Sequence, residues 1–561
     1  MERIWLNSYD ADVPASASYR ETCLPLVLEE NARLNPSNTA TEFLGTRLTY
    51  AQVWDKVLRL ANALRKLGVR GGSKVAIMLP NCPQAIIGYY ASLWLGAVVI
   101  MTNPLYVERE LKHQWKDCEA EFLLTLDHLY PKAKKVLPET GIHTVIVTSI
   151  REFLPLHLRL LYPFKARLNK LFTAVPYGAD VVNFSSLIKT HAPDPLPFAS
   201  SPDRLALLQY TGGTTGISKG AMLTHRNLLA NVTQLLTWVP DLECGRERFL
   251  AVLPFFHVFG LTVSLNLAVY MGCAIIIMPR FNAGELINLI EKSKPTIFPG
   301  VPAIYTALMA HPRIESFDLS SIRFCVTGSA PMPVEAIRRF ERKTGSTILE
   351  GYGLSECSPV THVNPVKGPR KPGSIGLALP DTDCRIVDVE TGRKELRPGE
   401  VGELIVRGPQ KMRGYWKKEE ETNAVVRDGW LHTGDLATMD EAGYVFIVDR
   451  KKDLVISGGY NVYPREVEEV LHEHPKVLEA AAIGIPDPRR GEVVKVFIVP
   501  RPGESLSVDE IIALCHERLA AYKIPKQVEF RDSLPKTMVG KVLRRELRDD
   551  EQQDTLSSAF M

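Results

Sequence analysis

Tyr210-Thr-Gly-Gly-Thr-Thr-Gly-Ile-Ser-Lys-Gly220 follows an apolar run, Leu205-Ala-Leu-Leu-Gln209, and precedes a helix expected to begin near Thr224. Glycines let the backbone turn tightly and aim its N–H groups at an anion. Thr211, Thr214 and Thr215 add hydroxyl donors and Lys219 adds a charge, which is what a polyphosphate requires. The spacing is not that of a Walker A loop, which needs Gly-x-x-x-x-Gly-Lys-Ser/Thr. By itself, such a stretch reads equally well as a flexible turn.

Outward from this loop, the chain reads as strands alternating with helices. Thr49 is a plausible N-cap for a helix carrying Val53, Val57, Leu60, Leu64 and Leu67, with Gly68 as its stop. Short apolar strands follow from Lys74, Phe122 and Thr144. That alternation implies βαβ units and a parallel sheet. From Pro380 to about Asp449 the strands are shorter and the turns closer, as in Gly402-Glu-Leu-Ile-Val-Arg407 and Gly443-Tyr-Val-Phe-Ile-Val448, which predicts an antiparallel module. After Lys452 helix and strand return, ending in a charged tail expected to lack order.

Composition narrows the class. At 561 residues the chain exceeds one compact core, so two or more packed units are expected. A net charge of +3 gives no general argument for nucleic acid. Nine dispersed cysteines without a C-x-x-C indicate reduced thiols in a cytoplasmic protein. The N-terminus lacks the basic region and apolar core of a signal peptide. Ala85–Thr102 is uncharged, and Leu250–Pro279 carries only His257, yet both are broken by glycine and read as a helix followed by a buried strand rather than a membrane span. Arg151–Lys170 mixes Leu, Phe and Tyr with Arg and Lys, a pattern suited either to packing on the body or to an anionic membrane surface. Pro155 and Pro163 argue against one continuous helix there.

Further motifs lie along the chain in a fixed order: Gly328-Ser-Ala-Pro331, Gly351-Tyr-Gly-Leu-Ser-Glu356, Thr433-Gly-Asp435, Val448-Asp-Arg-Lys-Lys-Asp453, Gly458-Gly-Tyr-Asn-Val-Tyr-Pro464 and Pro535-Lys-Thr-Met-Val-Gly-Lys541. With the glycine-rich loop they resemble the signatures of the adenylate-forming superfamily: acyl-CoA synthetases, peptide-synthetase adenylation domains and firefly-type luciferases. The resemblance runs over almost the whole chain. It implies an α/β fold whose large N-terminal domain (1–449) combines parallel-sheet αβ layers with a small β-barrel-like module. A hinge (450–452) and a small mobile α+β C-terminal domain (453–561) follow.

The resemblance also implies roles. Thr211, Gly212, Gly213, Thr214, Thr215, Gly216 and Lys219 cradle the phosphates of ATP. Gly328, Ser329 and Ala330 border adenine, and Tyr352, between Gly351 and Gly353, stacks on it. Ser355 touches phosphate, Glu356 helps hold Mg²⁺, Asp435 clamps the ribose and Arg450 contacts ribose and phosphate. His257, in Pro254-Phe-Phe-His-Val-Phe-Gly260, orients the substrate carboxylate. Lys541 enters for adenylation, and Gly458, Gly459 and Tyr460 swing in to admit CoA. Lys452 is the hinge residue, where many relatives carry Asp; Ser218 stands where many carry Pro. Taken singly, most of these are ordinary turn, core or surface residues; their order carries the assignment. The Ile456–Pro464 wording and the 151–170 insertion look most like bacterial long-chain fatty-acid–CoA ligases. The implied reaction converts fatty acid, ATP and CoA to acyl-CoA, AMP and pyrophosphate. Alternatives are medium-chain or aryl acids, an acyl-AMP ligase loading a carrier protein, and a non-catalytic lipid-binding protein. A homodimer and peripheral contact with the inner face of the membrane are compatible with the sequence.

Overall fold

The computed structural model describes residues 3–168, 173–198, 201–211, 218–537 and 540–559. Two αβ sheets form the body. The first has seven strands in the order Val181–Asn183, Thr144–Thr148, Phe122–Leu126, Lys74–Met78, Val98–Met101, Leu205–Tyr210 and Gly220–Thr224. All its pairings are parallel except the last, in which Leu205–Tyr210 turns back onto Gly220–Thr224. The second has nine strands whose centre is parallel: Thr347–Gly353, Phe324–Thr327, Ile297–Gly300, Arg248–Ala251, Ala274–Ile277 and Thr39–Phe43.

Pro83–Trp94 packs on Lys74–Met78 and Val98–Met101 and is buried along its whole length, so its mostly apolar surface needs no membrane to cover it. Asn81 ties the layers, its amide donating to the carbonyls of Ala251 and Leu253. The second apolar stretch resolves into Arg248–Ala251, a π-helix Gly260–Asn266, a short helix and Ala274–Ile277. Among the described residues no helix is long and apolar enough to cross a membrane. The helix after Thr49 runs Tyr50–Lys66, its capping box closed by Gln52, and Gly68 adopts φ +107° beyond it.

An antiparallel five-stranded sheet spans Asp383–Val387, Gly402–Arg407, Val426–Arg427, Trp430–Met439 and Val445–Arg450. The C-terminal portion builds its own five-stranded sheet, in which Val477–Asp487 and Gly491–Pro500 form the long central pair, with a separate core around Val467, Leu471 and Val496. The fold is therefore mixed α/β, with a large N-terminal part and a smaller α+β part.

The structure corrects some expectations. The helix expected near Thr224 is His225–Trp238, capped by Thr224 at the end of the strand Gly220–Thr224, whereas two other expectations fail. The charged tail is ordered: Arg544–Ala559 is helical, with Leu547 fully buried and Arg544 held by acids. Leu156–Leu168 is a single helix despite Pro163. Proline at that position leaves the carbonyl of Arg159 without its i+4 donor, and the Nε of Arg151 supplies one at 2.9 Å. Residues 169 and 170 of the insertion lie outside the described residues.

Candidate active site

Thr211, Gly328 and Glu356 follow the C-terminal ends of parallel strands, where open α/β sheets bind ligands. Thr211 and Lys219 stand at the neck of the glycine-rich loop, closed by the Thr211 N–H donating to the Lys219 carbonyl at 3.0 Å. Gly212, Gly213, Thr214, Thr215 and Gly216, between them, lie outside the described residues. The neck is braced by Tyr210, whose hydroxyl donates to Asp117 at 2.6 Å, and by His113, whose Nε2 sits 2.9 Å from the Ser218 carbonyl oxygen.

Lys219 faces a residue that no motif in the sequence singles out. Its Nζ lies 5.3 Å from the centre of the Tyr415 ring, and the Tyr415 hydroxyl donates to Glu356 Oε1 at 2.7 Å. Burial, then Glu356, raises that phenol well above its usual pKa, so it remains a donor. Tyr415 reaches the site because the segment around it runs alongside Gly220–Thr224, with Trp416 N–H donating to the Gly220 carbonyl and Met222 N–H to that of Gly414. One tyrosine thus places the loop lysine and the Glu356 carboxylate on a common scaffold. The only sequence hint was an aromatic pair after Gly414.

Strand Thr347–Gly353 delivers Gly351, Tyr352 and Gly353, and Ser355 and Glu356 follow in one 3₁₀ turn. A side chain at Gly353 would place Cβ 2.1 Å from the Pro359 carbonyl oxygen, so the backbone crossing there requires glycine. The Gly328-Ser329-Ala330 turn leaves the neighbouring strand Phe324–Thr327 and packs against the Gly351 carbonyl and the Phe259 ring, joining the adenine-side motifs to the His257 segment. Burial drives the His257 imidazole down to about 4, so it is neutral at pH 7. Its Nδ1 accepts from Phe259 N–H at 3.3 Å, which leaves the proton on Nε2.

Asp435 and Arg450 are register partners across Trp430–Met439 and Val445–Arg450. The Asp435 carboxylate is buried, accepts from the Tyr352 hydroxyl at 2.5 Å and pairs with Arg450 Nε at 3.1 Å. Lys541 joins them from the C-terminal part. The Thr537 N–H donates to the Lys541 carbonyl and the Lys541 N–H to Thr537 Oγ1, closing a tight turn. That turn meets the large part at Ala303, 3.6 Å from where a Gly540 Cβ would stand. Burial, then Arg450, lowers the Lys541 ammonium to about 8, while Asp435 and Asp453 act in the opposite sense. Gly458 and Gly459, at φ +59° and +84°, form the tip of a hairpin whose exposed Tyr460 stacks on Tyr522 at 4.7 Å. Lys452 lies just past Arg450; its Nζ is buried with no hydrogen-bond partner among the described residues, and burial lowers it to about 8.

A carboxylate and an arginine side by side, a tyrosine hydroxyl on that carboxylate, and two lysines from distant parts of the chain suit an adenosine with its phosphates. The signature of AMP-binding enzymes matches residues 28–416, and that of the AMP-binding enzyme C-terminal domain matches 466–541. The chain belongs to the AMP-binding enzyme family. It is 45% identical over 555 residues to a long-chain-fatty-acid–CoA ligase of Bacillus subtilis, covering 99% of both chains. It is 38% identical over 518 residues to a feruloyl-CoA synthase of an Amycolatopsis species, covering 92% of this chain and 96% of that one. The solved structure of the anthranilate CoA ligase AuaEII with anthranoyl-AMP superposes with a TM-score of 0.84 at 27% identity, covering 97% and 99% of the two chains. Family membership accounts for the order of the motifs; the geometry above is how this AMP-binding enzyme assembles them.

Proposed function

We propose that this AMP-binding enzyme is a long-chain fatty-acid–CoA ligase that works through an acyl-adenylate. The observation that carries the reading is Lys541, a cation from the C-terminal part within electrostatic reach of the Asp435–Arg450 pair of the large part. In the first half-reaction the carboxylate oxygen attacks the α-phosphorus of ATP and pyrophosphate leaves. Charge develops on the α-phosphate, where Lys541 and Lys219 lower its energy by fixed electrostatics. Tyr352 and Asp435 hold adenine and ribose, and the Nε2–H of neutral His257 orients the incoming carboxylate. A divalent cation fits as a passenger of the nucleotide: Glu356 offers one carboxylate, and among the described residues no cluster of three or more His, Cys, Asp or Glu could hold a metal alone. When bound, that ion neutralises phosphate charge. In the second half-reaction the C-terminal part pivots at 450–452, Lys541 withdraws, and the Gly458–Tyr460 turn admits the CoA thiol. The thiol gives up its proton to water, its sulfur bonds to the acyl carbon of the mixed anhydride, and the C–O bond to AMP breaks.

The long-chain preference rests on the ligase relative. The feruloyl-CoA relative makes an aryl acid the competing reading. A panel from acetate through palmitate, with benzoate and ferulate, scored for AMP and thioester, separates them. Catalytic efficiency is expected to peak on the long saturated acids, and a maximum on ferulate or acetate would overturn the long-chain assignment.

Contact with a membrane surface is favoured by the helix Leu156–Leu168. Leu156, Leu160, Phe164 and Leu168 recur every fourth residue and, with Leu161, are 60–84% exposed. Arg159 and Arg167 share that helix, so apolar insertion and attraction to anionic headgroups act together. The protein is expected to co-sediment with phosphatidylglycerol vesicles, and L160E/F164E to stay in the supernatant with pyrophosphate release on a soluble acid intact. Equal partitioning of the two proteins would refute the contact.

A further inference from the structure

The Thr433–Asp435 turn is a bulge, and one buried carboxylate opposite it takes no part in the adenylation chemistry. Glu403 pairs with Leu436 and Ile405 with His432, so the register moves from 403 to 405 on one strand and from 436 to 432 on the other. The surplus residues, Thr433 to Asp435, stand out of the ladder, and such bulges re-aim side chains beside active sites. Gly434 takes φ +72° at the crest, a conformation open to glycine without strain. The Thr433 hydroxyl donates to the Leu404 carbonyl at 2.7 Å and accepts from Asp435 N–H at 3.1 Å, which folds the bulge onto Gly402–Arg407.

Glu403 holds the crest. Its side chain is 6% exposed; Oε1 accepts from Gly434 N–H at 3.2 Å and Oε2 from the Lys451 ammonium at 3.1 Å. The Lys451 N–H in turn donates to the Gly434 carbonyl at 2.9 Å. Both polar groups of Gly434 are therefore fixed, one by Glu403 and the other by the residue that Glu403 binds. His432 Nδ1 lies 3.5 Å from Oε2 without forming a hydrogen bond, so it does not compete for that oxygen. An apolar side chain at 403 would avoid the desolvation of a carboxylate but would leave the Gly434 N–H and the Lys451 ammonium without this partner. Asp435, the next residue along, is thus aimed by a bulge whose crest is tied to the segment 450–452.

We propose that Glu403 is a positioning residue for the nucleotide: through the Gly434 N–H and Lys451 it fixes the bulge that aims the Asp435 carboxylate at the ribose hydroxyls. This role rests on the ligase reading, which places a ribose on Asp435. The test compares ATP with 2′-deoxy-ATP in fatty-acid-dependent pyrophosphate release by the full chain, Glu403→Ala and Glu403→Gln. The wild type is expected to favour ATP by about ten-fold or more in kcat/KM, as when a site built to bind a hydroxyl meets a substrate lacking it. In Glu403→Ala, kcat/KM should fall about ten-fold for ATP and about three-fold for 2′-deoxy-ATP, which lacks one of the hydroxyls, so the preference narrows about three-fold. The change should lie in KM for ATP rather than in kcat. Glutamine still accepts from the Gly434 N–H and should recover most of the preference. Lys451→Met should narrow it in the wild-type background and add nothing to Glu403→Ala, since that lysine acts through the carboxylate. Each preference is a ratio within one protein, so partial unfolding of a variant does not alter it.

The proposal is overturned if Glu403→Ala keeps the wild-type preference. It is also overturned if both nucleotides lose efficiency by the same factor, which would make Glu403 an anchor of the fold alone. A wild type that treats the two nucleotides alike overturns it too, because Asp435 then makes no selective contact with the ribose. The ligase reading survives all three results as long as the wild type releases pyrophosphate. If it releases none with either nucleotide and any acid, that reading falls and takes this role with it.

Discussion

Replacing Lys541 with alanine is expected to reduce acyl-adenylate formation about 10²- to 10³-fold, the usual loss when a preorganised electrostatic partner of the transition state is removed. Thiolysis of supplied acyl-AMP should continue near the wild-type rate. The asymmetry follows from position. Lys541 sits at the end of a turn docked on Ala303 and is held near Asp435 and Arg450, so its ammonium is available only while that turn is in place. In the proposed second half-reaction the turn has left, and the lysine contributes nothing. Pyrophosphate release and thioester formation from synthetic adenylate measure the two steps separately, and equal losses in both would remove the basis for a two-position C-terminal part. The pH profile gives a second check. Burial lowers the ammonium to about 8, so the cation that catalyses is present below that value and disappears above it. The kcat/KM for ATP, which reports the free enzyme, should therefore fall as pH rises through about 8. Lys541→Arg should carry the decline to higher pH, because a guanidinium stays charged.

Much of this site was legible in the sequence, for a definable reason. Glycine-rich turns, the Tyr352–Glu356 element and the Thr433–Asp435 turn are local: a few consecutive residues carry the whole signal. The strands Lys74–Met78 and Gly402–Arg407 were legible because an apolar run bounded by turns has few other readings. Tyr415 was not, because its role arises only when residues 413–416 lie against the strand after the nucleotide loop, a pairing between segments far apart in the chain. The tail was misjudged because net polarity predicts disorder, whereas Arg544 and Leu547 are tied down by groups a long way back in the sequence.

That tail supplies the other large effect. Arg544 Nη1 lies 2.9 Å from Asp449 and 3.3 Å from Asp453, and Nη2 lies 2.7 Å from Glu468, so one guanidinium serves three carboxylates. Arg548 adds a second contact to Asp453 at 2.8 Å, and the Arg465 N–H a second to Asp449 at 2.7 Å. The Asp449 side chain is 1% exposed. Burial opposes the charge on Arg544, but the acids around it outweigh that cost and hold it protonated. Removing one member of such a buried cluster leaves unpaired charge and typically costs about 3–5 kcal/mol. Arg544→Met is therefore expected to lower the denaturant midpoint of the C-terminal part, and Arg544→Lys to recover only a fraction, since an ammonium cannot fork between Asp449 and Glu468. Asp449 precedes the proposed pivot and Arg544 follows it, so this contact spans the pivot in the arrangement that seats Lys541, and the proposed turn of the C-terminal part would break it. The variant should consequently lose adenylation by at least about ten-fold more than it loses thiolysis of supplied acyl-AMP. Unfolding of the C-terminal part with both half-reactions falling together would instead make Arg544 a purely structural anchor. A folded variant whose half-reactions keep the wild-type ratio would show that the Asp449 contact does not govern which arrangement is populated.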